Sequence, residues 1–132
     1  MSRFGIHLTA DLAGCAISHP WMTQADTLRS ACLGAVAAAG LTAVNECFHT
    51  FPARPDQGPS GITGVVLLAE SHLTVHTWPE KGVVTLDIFV CNLQDDNTSR
   101  AQQLLQTLLA GFQPGAQSVQ TIRREIPEAD KT

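Results

Sequence analysis

Val65-Val66-Leu67-Leu68-Ala69-Glu70-Ser71-His72-Leu73-Thr74-Val75-His76-Thr77-Trp78-Pro79-Glu80-Lys81-Gly82, running on through residues 83–90 to Cys91, is the stretch that decides the fold. Residues 62–69, 72–78 and 83–91 are of strand length and rich in Val, Ile, Thr and aromatic side chains, which pack well on a pleated surface. Pro79-Glu80-Lys81-Gly82 separates the last two runs with proline and glycine in the places a reversing turn wants them. The stretch also concentrates chemistry. A serine hydroxyl, two imidazoles and two carboxylates fall within residues 70–80, and that hydroxyl (Ser71) and a thiol (Cys91) fall near the ends of expected strands.

Outward from there, residues 4–12 alternate with period two. Phe4, Ile6, Leu8, Ala10 and Leu12 share one face and His7, Thr9 and Asp11 the other, so a strand is expected. Thr23-x-x-Asp26 resembles a capping box, and Leu28, Cys32, Ala35, Val36 and Ala39 recur at helical spacing before Gly40, which predicts a helix over about 22–39. A second strand is expected over 41–51, then a loop over 52–61, where three prolines and two glycines break regular structure. After Cys91, Asn97 or Thr98 can cap a helix whose stripe of Ala101, Leu104, Leu105, Leu108 and Leu109 ends near Gly111. Residues 117–126 are a last strand candidate. Each helix has one apolar stripe, so both can cover the same face of one mainly antiparallel sheet. The expected fold is a two-layer α/β (α+β) sandwich.

The chain has 132 residues, the length of a single domain with one core. Apolar residues make up 44% and charged residues only 15%, below the roughly 25% of an average soluble domain, which points to a surface partly covered by another subunit. A net charge of -4 gives no basic footprint, so nucleic acid is excluded as a partner. No charged-then-apolar leader opens the sequence, and no apolar run approaches the roughly 18 residues of a membrane helix, so a cytoplasmic protein without a membrane partner is expected. Cys15, Cys32, Cys47 and Cys91 form no CxxC pair and are expected to remain thiols.

Three chemical readings compete with ordinary polar positions on a half-exposed strand. A metal pair at His72 and His76 is disfavoured, because four residues along a strand span roughly 13 Å. A thiol nucleophile at Cys91 paired with His76 across adjacent antiparallel strands is sterically allowed, since facing residues lie about 5 Å apart. The third reading uses more residues. The Ser71 hydroxyl attacks the Glu70 carbonyl in an N-to-O acyl shift, and a base then removes the Ser71 α-proton and expels the acyl group. Hydrolysis of the resulting dehydroalanine leaves a pyruvoyl group. A pyruvoyl carbonyl forms a Schiff base with an amine and withdraws electrons from its α-carbon, which suits decarboxylation without pyridoxal phosphate or metal.

The chain resembles the small prokaryotic pyruvoyl-dependent S-adenosylmethionine decarboxylase proenzymes. The resemblance runs through Gly61-Ile62-Thr63-Gly64-Val65-Val66, Glu70-Ser71-His72, His76-Thr77-Trp78-Pro79-Glu80 and Asp87-Ile88-Phe89-Val90-Cys91, and is weaker at Gly5-x-His7-Leu8 and Phe48-His49-x-Phe51. It implies autocatalytic cleavage between Glu70 and Ser71 into a β chain of residues 1–70 and an α chain of 71–132, with Ser71 the pyruvoyl precursor. It makes His76 the proton acceptor in processing, a task suited to imidazole, and Cys91 the proton donor in catalysis. Thr63 stands at the family's processing serine and keeps the hydroxyl. Phe51 matches an aromatic that stacks on adenine, and Glu80 matches a carboxylate that binds ribose hydroxyls. Thr63, Phe51 and Glu80 also have ordinary structural readings as strand, core and surface residues. His7 and His49 read as core histidines and Trp78 as packing near the pocket.

The implied reaction converts S-adenosylmethionine to S-adenosyl-3-(methylthio)propylamine and CO2, supplying aminopropyl groups for spermidine, in an (αβ)2 homodimer with sites near the subunit interface. Ile6, Ala13 and Asn92 depart from the family's usual arginine, aromatic and glycine, and the loop before Gly61 is longer than usual. Relatives on this scaffold decarboxylate arginine or ornithine, so those substrates are the alternative. A cleavage-dead regulatory partner is the non-enzymatic alternative, against which stands the retention of Ser71, His76 and Cys91.

Overall fold

The computed structural model describes residues 2–129. Its elements in chain order are β1 (Ser2–Ala13), α1 (Pro20–Thr23), α2 (Ala25–Ala38), β2 (Ala43–Thr50), β3 (Ile62–Leu68), β4 (Ser71–Trp78), a 3-10 turn (Pro79–Lys81), β5 (Val83–Cys91), α3 (Thr98–Phe112) and β6 (Ala116–Ile126). The strands form one sheet in the order β2-β3-β4-β5-β1-β6, every neighbouring pair antiparallel. The helices lie on one face, as the alternation and the single stripes predict.

Period-two alternation selects that face. Ile6, Leu8, Ala10 and Leu12 of β1, Leu73 and Val75 of β4 and Val84, Leu86, Ile88 and Val90 of β5 are buried in one core. They meet Leu28, Cys32 and Val36 of α2 and Leu104, Leu105, Leu108 and Phe112 of α3 in the same cluster. Each Val, Leu, Ile or Phe among them contributes about 1.5–3 kcal/mol when fully buried. The opposite face carries no helix; its positions include His7, His72, His76, Asp87 and Phe89, all only partly buried.

Two expectations about helices are corrected. The single helix over 22–39 is two, because Gln24 takes extended angles (φ -111°, ψ 102°) that end α1 and begin α2. The Thr23-x-x-Asp26 box is not the start signal: Gln24 is the N-cap residue, without a side-chain capping bond, and Thr27 Oγ1 donates to its Oε1 at 3.2 Å. α1 is fixed instead by His19, whose Nδ1 accepts from the Trp21 N–H at 3.0 Å while Nε2 bonds the Gly111 carbonyl at 2.7 Å. α3 runs past Gly111 to Phe112 and ends on Gln113 in the left-handed region (φ 51°). Gly111 is required for another reason, since a Cβ there would collide with the Trp21 ring.

No helix among the described residues is long and apolar enough to cross a membrane. The described residues hold four free cysteines, and burial pushes the Cys32 thiol up to about 12. At pH 8 Cys32 is therefore the neutral thiol, while the thiolate is what alkylates. Iodoacetamide should leave Cys32 unmodified in the native protein and modify it in urea, as read by peptide mass mapping. Leu108→Ala should cost about 2–5 kcal/mol, measured by denaturant unfolding.

Candidate active site

The β3–β4 hairpin builds the site. Its pairing runs from Thr63↔His76 at one end to Leu68↔Ser71 at the other, so the turn consists of Ala69 and Glu70 alone. The Ala69–Glu70 peptide is cis, and Ser71 has φ 105°. A non-glycine residue there costs on the order of 1–3 kcal/mol and persists where the surroundings hold it. Ser71 is thus the first residue of β4, at a strained backbone position, with the Glu70–Ser71 bond in the turn.

Register across β4 and β5 corrects one pairing. The facing partner of His76 is Thr85, and that of Ser71 is Val90. Cys91 faces Gly5 of β1 and stands one residue beyond Val90, beside the Ser71 end of the hairpin. The Cys91–His76 nucleophile pair therefore does not form within the chain. Pairing of Trp78 with Val83 around the 79–82 turn forces this result.

The expected site residues fall into two groups at opposite ends of β4. Thr63, His76, Phe51 and Glu80 line one cavity of about 740 Å³, walled by the 52–60 loop and by Trp78. Within it, Thr63 Oγ1 and His76 Nδ1 are hydrogen-bonded. Nδ1 is occupied, and among the described residues Nε2 has no hydrogen-bond partner, which leaves it available for a proton. Glu70 and Cys91 line a second, polar cavity of about 250 Å³ with Gln94, Asn97 and Arg100. Cys91 is 7% exposed. Five residues of strand separate Ser71 from His76, roughly 16 Å at about 3.3 Å per residue, beyond the reach of an imidazole.

The remaining motif residues act in support. Thr77 is buried, its Oγ1 donating to the Met22 carbonyl at 2.8 Å and accepting the Ile62 N–H at 2.9 Å, which ties β3 and β4 to α1. Gly61 is needed because a Cβ there would overlap the Thr77 carbonyl, and Gly64 because one would overlap the Phe48 ring. Trp78 lines the larger cavity, in keeping with a packing role beside the pocket. His7 and His49 are not core histidines. His7 Nε2 bonds Asp87 Oδ1 at 3.1 Å on the uncovered sheet face, and the exposed His49 sits edge-on to Phe51 at 5.0 Å.

Sequence reasoning missed one group. Asn97 was expected as a helix cap, and it holds the N-cap position, yet its side chain makes no capping bond. Its Nδ2 donates to the Cys91 carbonyl at 2.8 Å, and its Oδ1 accepts from Arg100 Nη1 at 2.7 Å. The departure from the family pattern at Asn92 was the available signal, because Asn92 Oδ1 accepts the Asn97 N–H at 2.8 Å. Among the described residues no cluster of three or more His, Cys, Asp or Glu is placed to hold a metal ion.

Comparison with known proteins agrees with this architecture. The family model described as S-adenosylmethionine decarboxylase matches residues 6–125. The S-adenosylmethionine decarboxylase proenzyme of Aquifex aeolicus is 33% identical over 126 residues, covering 96% of this chain and 84% of that protein. That of Archaeoglobus fulgidus is 36% identical over 110 residues, covering 83% of this chain and 88% of the relative. The crystal structure of the adenosylmethionine decarboxylase from Aquifex aeolicus superimposes with a TM-score of 0.80 at 30% identity, covering 100% of this chain and 99% of that one. The fold is thus that of a two-layer α/β decarboxylase. The chain belongs to the S-adenosylmethionine decarboxylase family.

Because Thr63 holds the ring that carries Nε2, its hydroxyl should matter more than its shape. Thr63→Ser should process at near the parental rate, whereas Thr63→Val should slow processing by about tenfold or more, read by intact mass over time. Equal rates for Thr63→Val and the parent would remove the hydroxyl from the site.

Proposed function

We propose that this chain is a proenzyme that cuts itself between Glu70 and Ser71, and that the product decarboxylates S-adenosylmethionine to S-adenosyl-3-(methylthio)propylamine and CO2 for spermidine synthesis. Scission gives a β chain of residues 1–70 and an α chain of 71–132 headed by a pyruvoyl group made from Ser71. The observation that carries this reading is Ser71 itself, held at φ 105° in a Glu-Ser-His sequence of a chain in this family.

The residues present fit such a group. Ser71 belongs to the last pair of the β3–β4 ladder, so a cut before it opens the turn and leaves the rest of the ladder intact. Its facing residue Val90 is apolar and buried, and the thiol of Cys91 comes next along β5. Once formed, a pyruvoyl group supplies a carbonyl that captures the substrate amine and draws electrons from its α-carbon. Cys91 returns a proton to that carbon after CO2 leaves, and its near-complete burial keeps water from competing. Phe51 offers a ring to the adenine and Glu80 accepts from the ribose hydroxyls, both from the larger cavity.

The separation of His76 from Ser71 gives the assembly a definite form. A base roughly 16 Å along the strand cannot reach the Ser71 α-proton, so His76 serves the serine of a second copy. The uncovered sheet face supplies the contact. It is polar and apolar by turns, with Leu67 44% exposed and Ile122 42% exposed, and no described element lies over it. Two copies packed through this face about a twofold axis bring the Thr63–His76 end of each to the Ser71–Cys91 end of the other, an isologous arrangement. The mature enzyme is then an (αβ)2 dimer with two shared sites.

Intact mass should show two fragments split after Glu70, the α fragment lacking a free amine, and Ser71→Ala should give one uncut, inactive chain. Cys91→Ala should still cut and lose most turnover. Assayed in parallel, S-adenosylmethionine should release CO2 while arginine and ornithine should not; turnover of either amino acid alone would move the substrate assignment to it. Co-expressed Ser71→Ala and His76→Ala chains should process and recover part of the activity that each lacks alone. Absence of any recovery in verified mixed dimers would defeat the shared site.

A further inference from the structure

The end of β5 leaves Cys91 with an awkward backbone. Cys91 faces Gly5 in a non-hydrogen-bonded pair, since it is the next N–H, of Asn92, that donates to the Phe4 carbonyl at 2.7 Å, so the Cys91 peptide groups turn away from β1 toward β4. On that side β4 begins at Ser71, opposite Val90, so the Cys91 carbonyl lies past the end of the ladder and a side chain takes it: Asn97 Nδ2 donates to it at 2.8 Å.

Asn97 is itself held on both sides. Its Oδ1 accepts from Arg100 Nη1 at 2.7 Å, and its backbone N–H donates to Asn92 Oδ1 at 2.8 Å. Asn92 is 7% exposed, and its Nδ2 donates to Thr98 Oγ1 at 3.0 Å. The orientation of the Asn97 amide follows from chemistry. A guanidinium only donates and a carbonyl only accepts, so one arrangement alone satisfies both. The result is a clamp from the first turn of α3 onto the backbone of the thiol residue. Helix capping does not account for it, since Asn97 makes no side-chain capping bond.

We propose that Asn97, fixed between Asn92 and Arg100, is a positioning residue that sets the backbone of Cys91 and so aims its thiol at the substrate carbon. The inference rests on the reading of Cys91 as proton donor and extends it. Geometry has a steep effect on such a step, with a displacement of about 1 Å costing up to about a hundredfold. A misaimed thiol also lets the proton go to the wrong carbon, after which water releases the decarboxylated substrate as an aldehyde and the nitrogen stays behind, leaving the α chain headed by alanine and the enzyme dead.

The test compares the parent with Asn97→Asp and Arg100→Gln, each as the full-length, self-processed protein. Aspartate caps a helix as well as asparagine does and keeps an oxygen for Arg100, but it has no N–H for the Cys91 carbonyl. Asn97→Asp should cut normally and remain folded at the assay temperature, as read by thermal unfolding. Its kcat should fall about tenfold or more with KM little changed, and intact mass should reveal alanine-headed α chain accumulating with turnover. Arg100→Gln should shift the same partition in the same direction by a smaller factor. Parental kcat and partition in Asn97→Asp would overturn the proposal, as would a variant that remains uncut, since the clamp would then serve scission. Cys91→Ala separates the two levels: if it turns over like the parent the donor assignment itself fails, whereas if it is crippled and Asn97→Asp is not, only the clamp fails.

Discussion

The register of the β3–β4 hairpin is the constraint on which the rest depends. With only Ala69 and Glu70 in the turn, Leu68 must face Ser71 and Thr63 must face His76. A slip of one residue would exchange the two faces of β4 and place His76 in the core and Val75 in the open. The apolar residues on both strands forbid that, since Leu73, Val75, Val66 and Leu68 are all buried on the helix side. Core burial thus fixes the imidazole against the hydroxyl. The same ladder forces Ser71 to begin β4 at the far end from His76.

How much of this was legible in the sequence depends on which physical rule governed each part. β3, β4 and β5 were readable because alternation and β-branched content agree, and Gly82 (φ 65°) marks the turn that joins the last two. The break at Gln24 was not readable, because neither proline nor glycine marks it and the apolar spacing runs straight across. The end of α3 near Gly111 was readable but its cause was not, because Gln113, not a glycine, takes the left-handed cap, and Gly111 is small to admit Trp21. Tertiary packing decides both positions, and propensity does not record it.

The site was legible as a set of residues and illegible as an arrangement. Ser71, His76 and Cys91 stand out by residue type and Thr63 by the family resemblance, but their distances follow from register. The expected Pro79–Gly82 turn already contained the needed information: Trp78 opposite Val83 carries His76 to Thr85 and Ser71 to Val90. Asn97 could be seen as a cap and not as a clamp, because its partner, the Cys91 carbonyl, is a backbone atom invisible to side-chain patterns. Buried or strand-end backbone groups must find partners somewhere, and here the partner is what ties α3 to the thiol.

Division of the site between the two ends of β4 has a consequence for maturation on the proposed dimer. Ser71 is strained in the single chain, yet the imidazole that would finish its conversion lies too far along the same strand to act. An N-to-O shift alone is reversible, since the freed amine can recapture the ester. Elimination, which needs the base, is the committing step. A monomer still folding, with its sheet face uncovered, can therefore shuttle between amide and ester without being cut. Commitment waits for a second copy to bring His76 and its Thr63 hydroxyl to the serine. On that proposed dimer, assembly becomes the condition for making the reactive carbonyl, so that no such group is generated before a partner's substrate cavity stands beside it.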